Sequence, residues 1–209
     1  MNTPLKSGNS ERFNSQSGFT VTEFLIAAAI LLVITSAIFS MIVDIQQSGG
    51  YQSEVQSVLN NTRIAMQTAE RAIRQAGNDP FGIGVAGITI VSAQEVHVRS
   101  DLTGSAGPGN PDRGDPDGDI GDSGESISIR YNSRTRSLEI VPEGGATQIV
   151  AGSISDLSFQ YYDAAGNATA TGSDVRKIGI SVSGTSLQQD PRTGKAFGVQ
   201  INSEIEISA

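Results

Sequence analysis

The sequence predicts an α+β fold in which a long amino-terminal helix packs on an antiparallel β-sheet head. Three observations support this prediction. A run of twenty uncharged, mostly apolar residues lies near the start of the chain, helical periodicity resumes after it, and short alternating segments fill the remainder. These features divide the chain into four predicted parts, namely residues 1–18, 19–50, 51–77 and 78–209.

The composition excludes several classes of function. The chain has 209 residues, with 14 Lys and Arg against 22 Asp and Glu, and its formal net charge is −8. That charge argues against a nucleic-acid partner, because the phosphate backbone attracts basic surfaces. The chain contains no Cys, which excludes disulfides, a thiolate nucleophile and Cys-ligated zinc or iron–sulfur sites.

The apolar run covers residues 24–43 and contains no charge, Pro or Gly. A helix of this length covers about 30 Å, the thickness of the hydrocarbon core of a bilayer. Lys6 and Arg12 precede the run and Asp44 follows it. This charge asymmetry predicts a single membrane crossing with the amino terminus in the cytoplasm and the head outside.

A single carboxylate, Glu23, stands directly before the apolar run. A charge beside the hydrocarbon is costly unless it has a partner, so Glu23 is a functional candidate. Secretory signals carry a small-residue cleavage site after their apolar core. Here the small residue, Gly18, precedes the core.

Gly18, Phe19 and Glu23, followed by about twenty apolar residues, resemble the signature of the type IV prepilin family. The resemblance implies a pilin-like fold, and it implies that prepilin peptidase cuts between Gly18 and Phe19. The new amine of Phe19 would then be N-methylated, and the helix would remain as membrane anchor and filament core. In the family, the carboxylate matching Glu23 neutralises the terminal amine of a neighbouring subunit.

Two features depart from the common family pattern. Thr22 stands where an apolar residue is more usual, and the 18-residue leader is long for a major pilin, although long leaders occur among minor pilins. An uncleaved single-pass anchor, in which Glu23 only marks the membrane interface, is the alternative interpretation.

Beyond the membrane segment, Gly49 and Gly50 predict a kink or local melting of the helix. Helical periodicity then resumes over residues 51–76, and Gly77 with the following Asn-Asp-Pro predicts its end. The expected buried stripe is Val55, Leu59, Thr62, Met66, Ala69, Ile73 and Ala76. Thr and Ala at several of these positions favour packing against a sheet over a coiled-coil seam.

The head is predicted to be an antiparallel sheet, because short β-branched segments alternate with Gly, Asn and Asp turns. The clearest alternation predicts that Ile127, Ile129 and Tyr131 face a core. Residues 187–196 are predicted to form a hairpin loop. The predicted strands cover residues 87–92, 95–100, 125–131, 136–141, 156–163, 175–184 and 197–208.

Three segments of the head, residues 122–131, 154–163 and 176–180, look like those of PilW-type minor pilins and of the related pseudopilin J of type II secretion. This resemblance is looser than the amino-terminal one, because it rests on a pattern of strands and on the Tyr-Tyr-Asp-x-x-Gly turn at residues 161–166.

Residues 101–125 form a predicted acidic, Gly-rich loop with seven acids against Arg113 alone. Two interpretations stay open. In the first, the loop is solvated and extended by charge repulsion. In the second, four carboxylates bind Ca²⁺, although their spacing fails the EF-hand pattern. The candidate calcium ligands are Asp115, Asp117, Asp119 and Asp122.

The sequence assigns no catalytic or metal-binding role to the other polar residues that stand out. His97 is predicted on the solvated face of a strand, together with Glu95 and Arg99. Near a predicted hairpin, Arg130, Arg134 and Arg136 either face water or pair with the acidic loop of a neighbouring subunit. We find no nucleophile–base pairing in the sequence and therefore expect no enzymatic activity.

The resemblance thus implies a non-catalytic minor pilin that is incorporated into, or primes, a type IV pilus. The alternatives are a pseudopilin of a type II secretion system and a membrane-tethered module that binds calcium or another ligand. The implied partners are prepilin peptidase, other pilins or pseudopilins, an assembly platform in the inner membrane and the lipid bilayer.

Overall fold

The computed structural model describes residues 18–104 and 115–207. Most of the predicted leader and the middle of the predicted acidic loop lie outside the described residues. The chain divides into two compact units, one ending at Gln46 and the other beginning at Gln47. The fold is α+β, as predicted, with one long helix and antiparallel sheets.

Helix α1 spans Val21–Gln75, which is 55 residues. In the first unit its apolar side chains are almost all exposed, and the helix is long and apolar enough to cross a membrane. The predicted local melting at Gly49 and Gly50 is wrong, because both residues are helical. Each Gly costs only about 1 kcal/mol in a helix, and the hydrogen-bonded turns on both sides offset that cost.

In the second unit, α1 buries a stripe that largely matches the predicted one. Val55 and Leu59 are only half-buried. The helix ends as predicted, since Gly77 adopts a left-handed φ of 75° and donates its N–H to the carbonyl oxygen of Arg99 at 2.9 Å. The buried residues of this part of the helix are Val58, Thr62, Ala65, Met66, Ala69, Ala72 and Ile73.

The first sheet has five antiparallel strands in sequential order. Its fifth strand, β5, was not predicted, since its four residues are too few to show a clear alternation. The strands are β1 (Ile88–Ser92), β2 (Glu95–Arg99), β3 (Ser126–Asn132), β4 (Ser137–Pro142) and β5 (Gln148–Ala151).

The second sheet has three antiparallel strands in the order β6-β7-β8. They are β6 (Ile154–Tyr162), β7 (Lys177–Gln189) and β8 (Ala196–Glu206), and a 3-10 turn at Gly172–Asp174 precedes β7. The predicted loop at residues 187–196 is shorter than expected, because β7 continues to Gln189 after an irregularity in its register with β8.

One apolar cluster joins the second half of α1 to both sheets. Ile129 is fully buried in it, whereas Ile127 and Tyr131 are partly buried against it, so the predicted core face of β3 is confirmed. The helix approaches β7 closely at Gly184, where a Cβ would lie 2.2 Å from Thr62 Oγ1. Only a residue without a side chain allows this separation.

Candidate functional site

The start of α1 is organised by Thr20 and Glu23. The Thr20 N–H and the Thr20 hydroxyl each donate to Glu23 Oε2 at 2.8 Å, and the Glu23 N–H lies 3.3 Å from Thr20 Oγ1. This reciprocal pair is a capping box, which satisfies N–H groups that a helix leaves without partners at its first turn. The sequence shows this signal as Thr-x-x-Glu, and our sequence reasoning missed it.

The capping box gives Glu23 a role inside its own chain, in addition to the assembly role that the family resemblance implies. Both of these Glu23 side-chain bonds use Oε2. Phe19, the expected new amino terminus, precedes Thr20 directly and is 86% exposed. The proposed cleavage bond, Gly18–Phe19, therefore lies in an exposed, non-helical segment next to the capping box.

A buried carboxylate, Glu125, holds together the described ends of the acidic loop. Glu125 is 1% exposed, and its Oε1 accepts the N–H groups of Leu102 and Thr103, each at 2.8 Å. Its Oε2 accepts the N–H of Asp122 at 3.1 Å. Hydrogen bonds to a charged acceptor are stronger than neutral ones, so Glu125 links the two ends of the loop.

Asp101 is a second buried anchor, with no exposed surface. Its two carboxylate oxygens accept the N–H groups of Asp117 at 3.2 Å and Gly118 at 3.0 Å. Both of these buried acids therefore serve as acceptors for loop backbone. In the described residues this replaces the expectation of a loop extended by repulsion, because backbone N–H groups compensate the buried charges.

The structure brings three of the four candidate calcium ligands together. One carboxylate oxygen from each of Asp117, Asp119 and Asp122 lies within 4.8 Å of the others, and the group does not include Asp115. Asp119 Oδ1 accepts the Gly121 N–H at 2.8 Å, and Asp117 Oδ1 accepts the Asp119 N–H at 3.1 Å. Hard oxygen ligands of this kind suit Ca²⁺, and calcium binding stays a prediction.

A polar cavity of about 380 Å³ lies beside this group and is lined by Arg99, Asp122, Ser126 and Glu143, among others. His97 contacts its wall, with Nε2 2.9 Å from Ser126 Oγ. His97 lies on the predicted face with Glu95 and Arg99, but it is half-buried there, because Ser126 on the neighbouring strand β3 contacts the ring. Desolvation, aided by the Arg99 charge, holds the pKa of His97 below its ordinary value despite Glu143 and Glu95.

The His97, Ser126 and Glu143 side chains do not form a catalytic triad. The Ser126 hydroxyl donates to Glu143, so we assign the proton on His97 Nε2 as the donor to Ser126. In a triad the histidine accepts the serine proton and lies between serine and carboxylate. The Ser126 bond and the Arg99 charge also hold the pKa of Glu143 below its usual range.

The three arginines near the β3–β4 hairpin have different environments. Arg130 pairs with Glu139 at 3.0 Å, and Arg136 donates to the carbonyl oxygen of Thr185 at 2.9 Å. Arg134 is exposed. Two of the three cations are thus engaged within the head, which the strand pattern alone did not indicate.

No protein-family model matches the chain, and the search of curated proteins found no match.

Proposed function

We propose that this chain is a non-catalytic minor pilin that is cleaved after Gly18, N-methylated on Phe19 and incorporated into, or used to prime, a type IV pilus. The observation that carries the proposal is the order Gly18, Phe19 and Glu23 immediately before the apolar helix. The leader would lie in the cytoplasm, the helix in the inner membrane and the head outside it.

Two features of the structure support this proposal. The apolar side chains of α1 in the first unit are exposed, so that part of the helix has apolar surface available for lipid or for other helices. The part of α1 after Gln46 packs on the sheets through its apolar stripe. One element thus supplies a free apolar segment and an anchored segment.

In the proposed mechanism, the apolar segment of α1 moves from the bilayer into a bundle of equivalent helices. The carboxylate of Glu23 pairs with the amine of Phe19 on a neighbouring subunit, which sets the register of the bundle. Burying both ions together costs far less than burying either alone. The head presents surface to neighbouring subunits, and the assembly platform supplies the energy.

Processing is tested first, by the mass of the chain purified from cells that contain prepilin peptidase. We expect a chain that begins at N-methylated Phe19. Replacing the small residue at the cut, Gly18→Leu, is expected to leave the leader attached, while Ser17→Leu one residue earlier serves as the matched control. Normal cleavage of the Gly18→Leu chain would refute the proposed cleavage site.

The role of Glu23 is tested by variants that separate its charge from its capping bonds. Glu23→Gln keeps a capping-box residue but removes the charge, whereas Thr20→Ala removes the cap but keeps the charge. We expect both Glu23→Gln and Glu23→Val to be processed and to be depleted from sheared filaments, while Thr20→Ala is incorporated. If Glu23→Gln enters filaments as well as the wild type, the charge is not the assembly determinant.

The type II secretion pseudopilin is the second candidate, because the same amino-terminal pattern and the same looser resemblance of the head support it. A strain that lacks only this gene separates the two. Loss of surface pili that returns on complementation supports the minor pilin. Persistent pili together with loss of protein secretion would assign the chain to the secretion system.

A further inference from the structure

The second sheet has a long strand edge that no described residue covers. β8 is its terminal strand, with 11 residues, and pairs only with β7. The register from Lys177↔Glu206 to Thr185↔Gly198 has no irregularity. An exposed edge of this kind is a template for another strand, since a row of its backbone groups has no partner.

The other three edges in the described part of the head are short or covered. On β6, Phe159 donates its N–H to Ala93 and Ile154 donates to Arg136. The β1 edge meets the turn at Gly172, where a Cβ would lie 2.5 Å from the Ile88 carbonyl oxygen. β5 has only four residues. Among the described edges, that of β8 is thus the one that is both long and uncovered. Residues 198–206 contain neither a Pro nor a bulge that would prevent pairing with another strand.

The hydrogen bonds identify which backbone groups face the free side of β8. Ile207 donates to the Arg176 carbonyl oxygen at 2.8 Å, so odd-numbered residues of β8 bond to β7 along the regular register. In an antiparallel pair, alternate residues point their N–H and C=O groups away from the partner. The free groups therefore belong to Gly198, Gln200, Asn202, Glu204 and Glu206.

We propose that this free edge pairs antiparallel with the same edge of a second copy of the chain, about a two-fold axis at Gln200. Self-pairing of even-numbered residues satisfies the free groups of residues 198–204 in both copies at once. With Gln200 opposite its own copy, Asn202 faces Gly198 and Glu204 faces Ala196. The paired segment is then residues 196–204 in each copy.

The charges at the two ends of β8 favour a second copy in this orientation. Glu204 and Glu206 stand at one end, with Lys177 bonded to Glu204 at 3.1 Å. Arg192 and Lys195 stand at the other end, beside Asp190. Antiparallel pairing places the acidic end of each copy beside the basic end of the other, whereas parallel pairing would bring like charges together.

The apolar face of β8 gives an independent reason. Phe197, Val199 and Ile201 point toward the core side of the sheet but are only half-buried. About the proposed axis, Val199 of one copy lies opposite Ile201 of the other. Pairing therefore extends the apolar layer across the contact and removes further apolar surface from water.

The absence of Cys from the chain allows a direct test with single-cysteine variants of the full chain in its native membrane. Residues opposite each other in such a pair have Cα atoms about 5.5 Å apart, within disulfide reach. We expect Gln200→Cys to form a homodimer under mild oxidation at least about tenfold faster than Gln160→Cys, because pairing raises the local thiol concentration. Gln160 is an exposed Gln on β6 of the same sheet and is the matched control.

Charge reversal tests whether the contact joins two copies. In the Gln200→Cys chain, Glu206→Lys is expected to slow homodimer formation, and adding Arg192→Glu is expected to restore it. Within one chain these residues lie at opposite ends of β8, about 30 Å or more apart, so restoration requires a second copy. Equal rates for Gln200→Cys and Gln160→Cys would overturn the proposal, as would crosslinking of Gln200→Cys to a different protein alone.

A backbone variant tests the strand pairing itself. Asn202→Pro removes one N–H on the free side of β8 and none of its bonds to β7, the position where an edge strand tolerates Pro. We expect it to abolish the homodimer without lowering the unfolding temperature. If Asn202→Pro unfolds the head, strand pairing is tested instead by amide hydrogen exchange of the unsubstituted chain. Exchange at Gln200, Asn202 and Glu204 that slows with protein concentration supports pairing, and exchange that is independent of concentration refutes it.

Discussion

The packing of α1 on β7 depends on the missing side chain of Gly184. An added Cβ would lie 2.2 Å from Thr62 Oγ1 and 3.0 Å from Val58 Cγ1. Thr62 cannot move away freely, because its hydroxyl donates to the Val58 carbonyl oxygen at 2.7 Å. The Gly184→Ala change must therefore push the helix from the sheet or break that bond.

We expect Gly184→Ala to lower the free energy of unfolding by about 2 kcal/mol, since overpacking a core costs about 1–3 kcal/mol and the less flexible unfolded chain offsets under 1 kcal/mol of that. For a protein of this size, the melting temperature should fall by about 4–8 °C. The assay is thermal unfolding of the full chain in detergent micelles, followed by circular dichroism.

Gly179→Ala on the same strand is the matched control. A Cβ there would lie 3.6 Å from the Tyr162 ring and 3.7 Å from Gln160, which are ordinary contacts, so its stability should change by less than about 1 kcal/mol. Thr62→Ala combined with Gly184→Ala should recover at least about 1 kcal/mol relative to the sum of the single changes. Wild-type stability of Gly184→Ala would refute the close packing of α1 on β7.

Three further predictions concern the loop and the cavity beside it. Glu125→Gln leaves a single oxygen to accept the N–H groups of Leu102, Thr103 and Asp122, which in the wild type bond to two carboxylate oxygens. The free energy of unfolding should therefore fall by about 2–3 kcal/mol. The control Glu95→Gln should change it by less than about 0.5 kcal/mol. The pKa of His97 is lowered in the folded state, so the unfolded state binds the proton first as the pH falls. The free energy of unfolding, measured in urea, should therefore decrease as the pH drops below about 6.5. His97→Gln should remove this pH-dependent decrease. If the acidic group binds Ca²⁺ with a millimolar Kd, 10 mM calcium should stabilise the chain by about 1.4 kcal/mol. Asp119→Asn should abolish that rise, and no rise in the wild type would refute calcium binding.

The elements with a clear local signal were predictable from the sequence. The apolar stripe of α1, its end at Gly77 and the core face of β3 follow from periodicities of 3.6 and 2 residues, which neighbouring residues encode. All seven predicted strands are present, and their ends differ from the predicted ones by at most five residues. The capping box of Thr20 and Glu23 was equally readable, since it needs only the spacing Thr-x-x-Glu.

Tertiary structure decided the features that depend on residues far apart in the chain. In the sequence, Glu125 resembles the other acids of a solvated loop. In the fold it accepts the N–H groups of Leu102 and Thr103, which lie more than twenty residues away in the chain. His97 is shielded only because β3 places Ser126 beside it. In the sequence, Gly184 indicates only a locally weakened strand, whereas in the structure Thr62 packs directly against it.

The sequence by itself determined the apolar helix, the motif at its start and the strand-rich head, because these depend on residue type and local spacing. Only the tertiary structure decided which carboxylates are buried anchors, which three lie together and which strand edge stays open. Burial and pairing of this kind are set by the order of strands in the sheets and by the packing of α1 on them. Local periodicity carries no information about either.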